Sequence, residues 1–340
     1  MNDSSNNPVV VLQTRGPRIE TRHRAAIAIA DGRGLIASCG DVDAPSFLRS
    51  GAKFFQAIPC LTSGAAERFH LGDRALALAC GSHNAEPEHV AIARRMLAAA
   101  GLSENDLACG PHPPMHPATA ARLSAEHLRP TRIHNNCSGK HAGMMLSAVA
   151  RGESPRGYTE PEHPIQREIR RILGHFAGVE DRAIEHAIDG CGVPTFILPL
   201  KHSARAFARF GRPDQEIEPE LAAAALRLGD AIARRPNMVA GEDRLCSAIA
   251  RVTGGRILAK VGADGFYGVA IRDQGQGLAL HVDDGATAIS ERLMVAILRA
   301  RGHLHDEEFA ALEPWCSRER RNCAGDLVGS IEFDLAGIQA

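Results

Sequence analysis

Ile257-Leu258-Ala259, Gly268-Val269-Ala270-Ile271 and Leu278-Ala279-Leu280-His281-Val282 are three short apolar runs that follow Gly254-Gly255 and are separated by Gly/Asp turns. Runs of this length between turn residues read as the antiparallel strands of a meander. Near the other end of the chain, Ala26-Ile27-Ala28-Ile29-Ala30 and Leu35-Ile36-Ala37-Ser38 flank Asp31-Gly32-Arg33-Gly34, the pattern of a hairpin with a Gly-rich turn. Between these two regions the spacing predicts helices over 87–100, 140–150, 164–176, 218–235 and 242–252. A further helix is expected over 286–301 and a last strand over 328–335. The segment 45–58 carries Phe47, Leu48, Phe54, Phe55 and Ile58 at helical spacing, with Ser46 as its expected N-cap and Pro59 as its stop. Strands and helices do not alternate as βαβ units. The expected class is therefore α+β: one antiparallel sheet built from both chain ends, about 8–60 and 255–340, flanked by helices, with a mostly helical lobe over about 61–254. The reading is of a single domain over 1–340.

Composition narrows the function classes. The chain has 340 residues, 44% hydrophobic and 23% charged, which excludes a disordered, collagen-like or coiled-coil protein. Thirty-nine basic against 40 acidic residues give a net charge of -1, so the electrostatic footprint of a nucleic-acid or anionic-membrane binder is missing, and the run Arg318 to Arg321 is too short to restore it. No apolar stretch approaches the roughly 20 residues of a membrane span. The polar start Met1 to Asn7, followed only by Val9 to Leu12, is not a secretory signal, and a cytoplasmic location is expected. Nine cysteines spread from Cys39 to Cys323 lack the dense spacing of a disulfide framework and read as reduced core thiols.

The basic residues carry a sharper signal. Only Lys53, Lys140, Lys201 and Lys260 are lysines; the other basic residues are arginine. Arginine keeps its proton in a protein, whereas a desolvated lysine can become the neutral amine that a general base or a metal ligand needs. Each lysine is thus a candidate for chemistry, against the plain alternative of a surviving surface charge. Ser50-Gly51-Ala52-Lys53 is an S-x-x-K spacing, which on a helix puts hydroxyl and amine about one turn apart on one face. Ser82 in Gly81-Ser82-His83-Asn84 and Lys260 in Lys260-Val261-Gly262 complete a trio in the order S-x-x-K, S-x-N, K-x-G, similar to the serine β-lactamase and penicillin-binding class. For Ser82 the structural alternative is a helix N-cap. The first two motifs stand closer together than in that class, so the likeness is one of architecture.

Asn136-Cys137-Ser138-Gly139-Lys140-His141 opens the helix predicted over 140–150, where a thiol ionises more easily. Asp189-Gly190-Cys191-Gly192 supplies a second thiol in a tight turn. Two thiolates can hold zinc, but C-x-x-K is not a standard ligand pair, so spacing alone leaves a metal open. A rival set is Cys109, His112 and His116 in a proline-rich loop, where the prolines need no metal to explain them. Lys201 has no constellation around it and reads as a surface lysine.

Six peptides taken together identify a family. They are R-S-x-A-K at Arg49 to Lys53, C-x-S-H at Cys80 to His83, N-C-S-G-K-H-x-G-M at Asn136 to Met144, D-G-C-x-x-P at Asp189 to Pro194, M-V-A-G-E-x-R-x-C at Met238 to Cys246, and K-x-G-A-D at Lys260 to Asp264. They resemble the rhizobial-type, class 3 L-asparaginases over nearly the whole chain. The resemblance implies a fold similar to serine β-lactamases and glutaminases, and hydrolysis of L-asparagine to L-aspartate and ammonia. It also implies Ser50 as nucleophile with Lys53 as its base, Ser82 and Lys260 as a second Ser-Lys pair, and Arg49, His141, Asp189 and Cys246 around the substrate. Cys137, Lys140 and Cys191 match zinc ligands, a water completing the tetrahedron, and a homodimer is implied as well. Nothing after His303 matches a role. A glutaminase or broader amidase on the same scaffold is the alternative, and a non-catalytic, zinc-dependent asparagine-binding protein is a more distant one.

Overall fold

The computed structural model describes residues 7–339. Its strands are β1 (Val9–Arg15), β2 (Arg18–Asp31), β3 (Leu35–Cys39), β4 (Pro45–Phe47), β5 (Glu185–Ile188), β6 (Pro194–Pro199), β7 (Ile257–Val261), β8 (Phe266–Ile271), β9 (Gln276–Val282), β10 (Glu319–Arg321) and β11 (Leu327–Phe333). The main sheet runs β10-β11-β1-β2-β9-β8-β7, with β3 joining β2. Every pairing in it is antiparallel. The first half of β2 pairs with β1, and its second half lies between β3 and β9 with Ile27 opposite Leu280. The α+β class, with a sheet drawn from both chain ends and a helical middle, is borne out.

In the meander β7 and β8 are buried along their whole length and β9 over Gly277–Leu280, which explains why they read as continuous apolar runs without alternation. The helix Leu200–Gly211 crosses β2, β8 and β9, while Thr287–Ala300 packs on β8 and β9 and Leu245–Val252 on β7. A Cβ at Gly268 would lie 2.1 Å from the Phe207 ring, so only glycine lets the crossing helix seat directly on β8. Helices expected over 87–100, 164–176, 218–235 and 286–301 appear as Pro87–Ala99, Pro164–Ala177, Pro219–Arg234 and Thr287–Ala300.

The segment 45–58 departs from its expected single helix. Residues Pro45–Phe47 form β4, which pairs with β6 in a second, three-stranded sheet ordered β4-β6-β5. A 3₁₀ turn, Arg49–Ala52, and a short helix, Lys53–Gln56, follow. Arg49 has φ of 48°, a left-handed conformation that stops any helix from running through it. Ser46 is consequently not an N-cap; its hydroxyl is buried without a partner. Phe54 and Phe55 anchor the short helix: Phe54 stacks on Phe210 at 4.8 Å, and Phe55 meets Phe207 edge-on at 5.7 Å and Phe176 at 5.6 Å. Each fully buried ring contributes about 2 kcal/mol, so the turn carrying Ser50 and Lys53 is fixed from beneath.

Candidate active site

Three lysines that the sequence singles out lie buried close to one another. Lys53 begins the short helix after β4, Lys140 is in the first turn of the helix Ser138–Ala150, and Lys260 is in β7. Lys201 instead pairs with Asp43 at the surface, as expected. Ser82 sits in an extended link held by backbone bonds from Ser82 N to Val239 O (2.7 Å), His83 N to Asn136 O (3.1 Å) and Asn84 N to Ala240 O (2.8 Å). It is therefore not a helix N-cap.

Ser82 Oγ lies 2.7 Å from Lys53 Nζ and 2.8 Å from Lys260 Nζ, and Lys260 Nζ also donates to Val261 O at 2.9 Å. Both amines face the Ser82 hydroxyl, and an ammonium has no lone pair, so passing the Ser82 proton to either one requires that lysine to be neutral. Burial favours the neutral form. It pushes Lys260 down to about 7, with Lys53 and Arg244 adding to the shift and Cys246 opposing it. Burial lowers Lys53 as well, helped by Lys140 and opposed by Cys137 and Cys191.

Ser50 and Lys53 share no hydrogen bond among the described residues. Lys53 turns to Ser82, while Ser50, half-buried, has no side-chain hydrogen bond among the described residues. The backbone here has little freedom: a Cβ on Gly51 would lie 2.4 Å from the Phe266 ring. Arg49 binds Asp189 (Nε to Oδ1, 2.9 Å) and also Asp264. Burial alone would raise the Asp189 carboxyl, but Lys140 and Arg49 outweigh it and hold it below its ordinary value. Cys246 accepts from Val261 N at 3.2 Å and lies 3.4 Å from Tyr267 OH, underneath Lys260.

Cys137 and Cys191 converge. Both are free thiols: Lys140 Nζ donates to Cys191 Sγ at 3.0 Å, and Cys137 Sγ lies 3.0 Å from Asn136 Oδ1. The neighbouring Cys191, Lys53 and Lys140 lower the Cys137 thiol against the opposing effect of burial. Two sulfurs and an amine gathered in this way are three corners of a donor set that suits a thiophilic cation, provided the amine gives up its proton. His141 is not a further ligand, because among the described residues no three of His, Cys, Asp and Glu are grouped closely enough to hold a metal. The rival set is dispersed for the same reason: Cys109 turns to Arg132 O, His112 to Pro113 O and His116 to Thr119.

Residues missed by the sequence reading include Tyr158, bonded to His141 at 2.6 Å, and Tyr267. Their signal was available, since they are the only two tyrosines in the chain.

Comparisons with known proteins complete the description. No curated protein matches the chain. Solved structures similar to it include Mglu in its native form, at 14% identity over 83% of this chain and 65% of that one, with a TM-score of 0.45. A β-lactamase from Mycobacterium bovis is 15% identical over 81% and 94%, with a TM-score of 0.39. The Bacillus subtilis glutaminase, in its covalent complex with 5-oxo-L-norleucine, is 13% identical over 83% and 89%, with a TM-score of 0.35. This chain thus spans slightly under two thirds of the Mglu chain. The L-asparaginase II family model matches residues 11–333, a stretch that takes in every one of the six motif peptides and both Ser-Lys pairs, and the chain belongs to that family.

Proposed function

We propose that the protein hydrolyses L-asparagine to L-aspartate and ammonia. The observation that carries this reading is the Ser82 hydroxyl bridging two buried lysines whose pKa burial lowers, one of them three residues after a serine whose own hydroxyl is free. Ser50 is the proposed nucleophile, because it is the half-buried, unpartnered hydroxyl that a substrate can reach, whereas Ser82 is enclosed between amines. In the acylation step Ser50 Oγ bonds to the side-chain carbonyl carbon and its proton passes to Lys53. The carbon-nitrogen bond breaks and ammonia departs with a lysine proton. Water then cleaves the acyl-enzyme, returning Ser50 to its hydroxyl form and releasing aspartate. Ser82 and Lys260 extend the proton path: a proton taken by Lys53 has a hydroxyl and then a second amine in line at 2.7 and 2.8 Å.

Cys137, Lys140 and Cys191 would hold a zinc ion. Once the ion is bound there, its charge, largely neutralised by the two thiolates, would help to order the charged end of the substrate. Arg49, Asp189, His141 and Cys246 line the substrate pocket in this reading. The resemblance that implies zinc also implies a homodimer, which sedimentation of the purified protein tests.

The test is ammonia release by purified protein from asparagine and from glutamine, together with intact-mass detection of the acyl-enzyme and peptide mapping of the acylated serine. Acylation of Ser50 is expected. Acylation of Ser82 would move the nucleophile, and release from glutamine as fast as from asparagine would make the protein a broader amidase.

A further inference from the structure

His141 presents a buried nitrogen with no partner. The residue is fully buried, and its Nε2 has no hydrogen bond among the described residues. A buried polar atom left in this way costs roughly the desolvation of the group unless something binds there. Its other nitrogen is occupied: Nδ1 lies 2.6 Å from Tyr158 OH. The direction of that bond follows by elimination. Tyr158 OH already accepts from the backbone N–H of Ala108 at 2.9 Å, and its own proton has no acceptor other than His141 Nδ1. If Nδ1 carried a proton, that buried hydroxyl proton would be orphaned. Tyr158 therefore donates, Nδ1 accepts, and the ring proton sits on Nε2.

An Nε2–H cannot ligate a metal, and among the described residues no His, Asp or Glu joins the two thiols closely enough to complete a metal site. What it can do is donate. His141 is one turn after Cys137 and next to Lys140, so it lies on the helix face that carries the thiol-amine cluster. Both Lys140 and Lys53 are near enough to act on it electrostatically. A buried N–H without a partner calls for an acceptor oxygen.

We infer that Tyr158 is a positioning residue that holds His141 in its Nε2–H form, and that this N–H donates to an oxygen of the bound substrate amino acid. The inference rests on the asparaginase reading only for the identity of that oxygen's owner; the tautomer itself does not depend on it.

Two measurements test it. Nitrogen-15 NMR of histidine-labelled protein, with His141 assigned by comparison with His141→Asn, should show Nε2 protonated and Nδ1 bare in the wild type. A proton on Nδ1 would overturn the inference whatever the enzyme's activity. In kinetics, Tyr158→Phe should raise KM for asparagine roughly two- to tenfold, the worth of one hydrogen bond, with kcat changed less and zinc content unchanged. The amide of His141→Asn occupies the place of Nδ1 and removes the donor, so it should raise KM at least as much. His141→Gln, whose amide reaches the place of Nε2, should recover part of the loss. A lower Tm in Tyr158→Phe with KM unmoved would show a merely structural tyrosine and refute the positioning role. So would equal KM values for His141→Asn and His141→Gln. If the wild type turns over no amino-acid amide at all, the asparaginase reading fails while the NMR result still decides the tautomer.

Discussion

Replacing Lys260 by methionine should abolish turnover and, at neutral pH, stabilise the protein. Lys260 is fully buried in β7, and burial lowers its pKa from 10.5 to about 7. Each tenfold change in proton affinity is worth about 1.4 kcal/mol. Below pH 7 the amine is charged in both folded and unfolded chains, and the folded state bears the whole penalty, about 5 kcal/mol. Between 7 and 10.5 the unfolded chain binds a proton that the folded chain does not. Wild-type stability from this group thus rises with pH by about 1.4 kcal/mol per pH unit and levels off above 10.5. Methionine has no such slope.

Against the relief stand two lost hydrogen bonds, to Ser82 and to Val261 O. At about 1 kcal/mol each, they leave the variant ahead by about 2 kcal/mol at pH 7. Urea midpoints of both proteins at pH 7, 8 and 9 measure the gap, and other titrating groups cancel in the difference apart from Lys53, whose charge acts on Lys260. The gap should close near pH 9 and reverse above it. A gap independent of pH would mean that Lys260 keeps its proton when folded, and the relay through Ser82 would lose its acceptor. The same value predicts that wild-type kcat/KM climbs through an apparent pKa near 7, as the neutral amine becomes available.

Ser50→Ala should lower kcat by several orders of magnitude without unfolding, since covalent catalysis loses its attacking atom; near-normal turnover would transfer the role to Ser82. Lys53→Arg should fail almost as badly as Lys53→Ala, because arginine cannot exchange the proton, whereas Lys201→Arg should be silent in the same ammonia assay. Chelation should raise the apparent KM more than it slows turnover at saturation, and Cys191→Ser should lower zinc content by elemental analysis; an abolished kcat at unchanged KM would place the metal in the chemistry. Gly51→Ala forces a methyl against Phe266 and should cost at least 1 to 3 kcal/mol in chemical unfolding, with activity falling alongside as the Ser50 turn shifts.

The scarcity of lysine made most of this site legible before any coordinates. With arginine supplying ordinary charge, the lysines at 53, 140 and 260 stood out as chemistry, and all three are buried in the site. The same reasoning applied to the two tyrosines would have found Tyr158 and Tyr267. The meander and the hairpin were legible because buried strands and Gly-rich turns leave local marks. Segment 45–58 was not, because its apolar spacing suits a helix while the pairing that decides its first residues comes from β6, about 150 residues away.

Partner choice was the hardest thing to read. Spacing places the Cβ of Lys53 near that of Ser50, but the amine ends a four-carbon stem and goes to whichever buried acceptor the fold brings within reach. The fold brings Ser82, from a link pinned between Val239, Ala240 and Asn136, and Lys260, from a strand near the far end of the chain. No local pattern encodes that meeting. It exists only once the C-terminal strands have closed against the lobe, so the neutral lysine, and any chemistry that depends on it, belongs to the assembled fold and to no single motif.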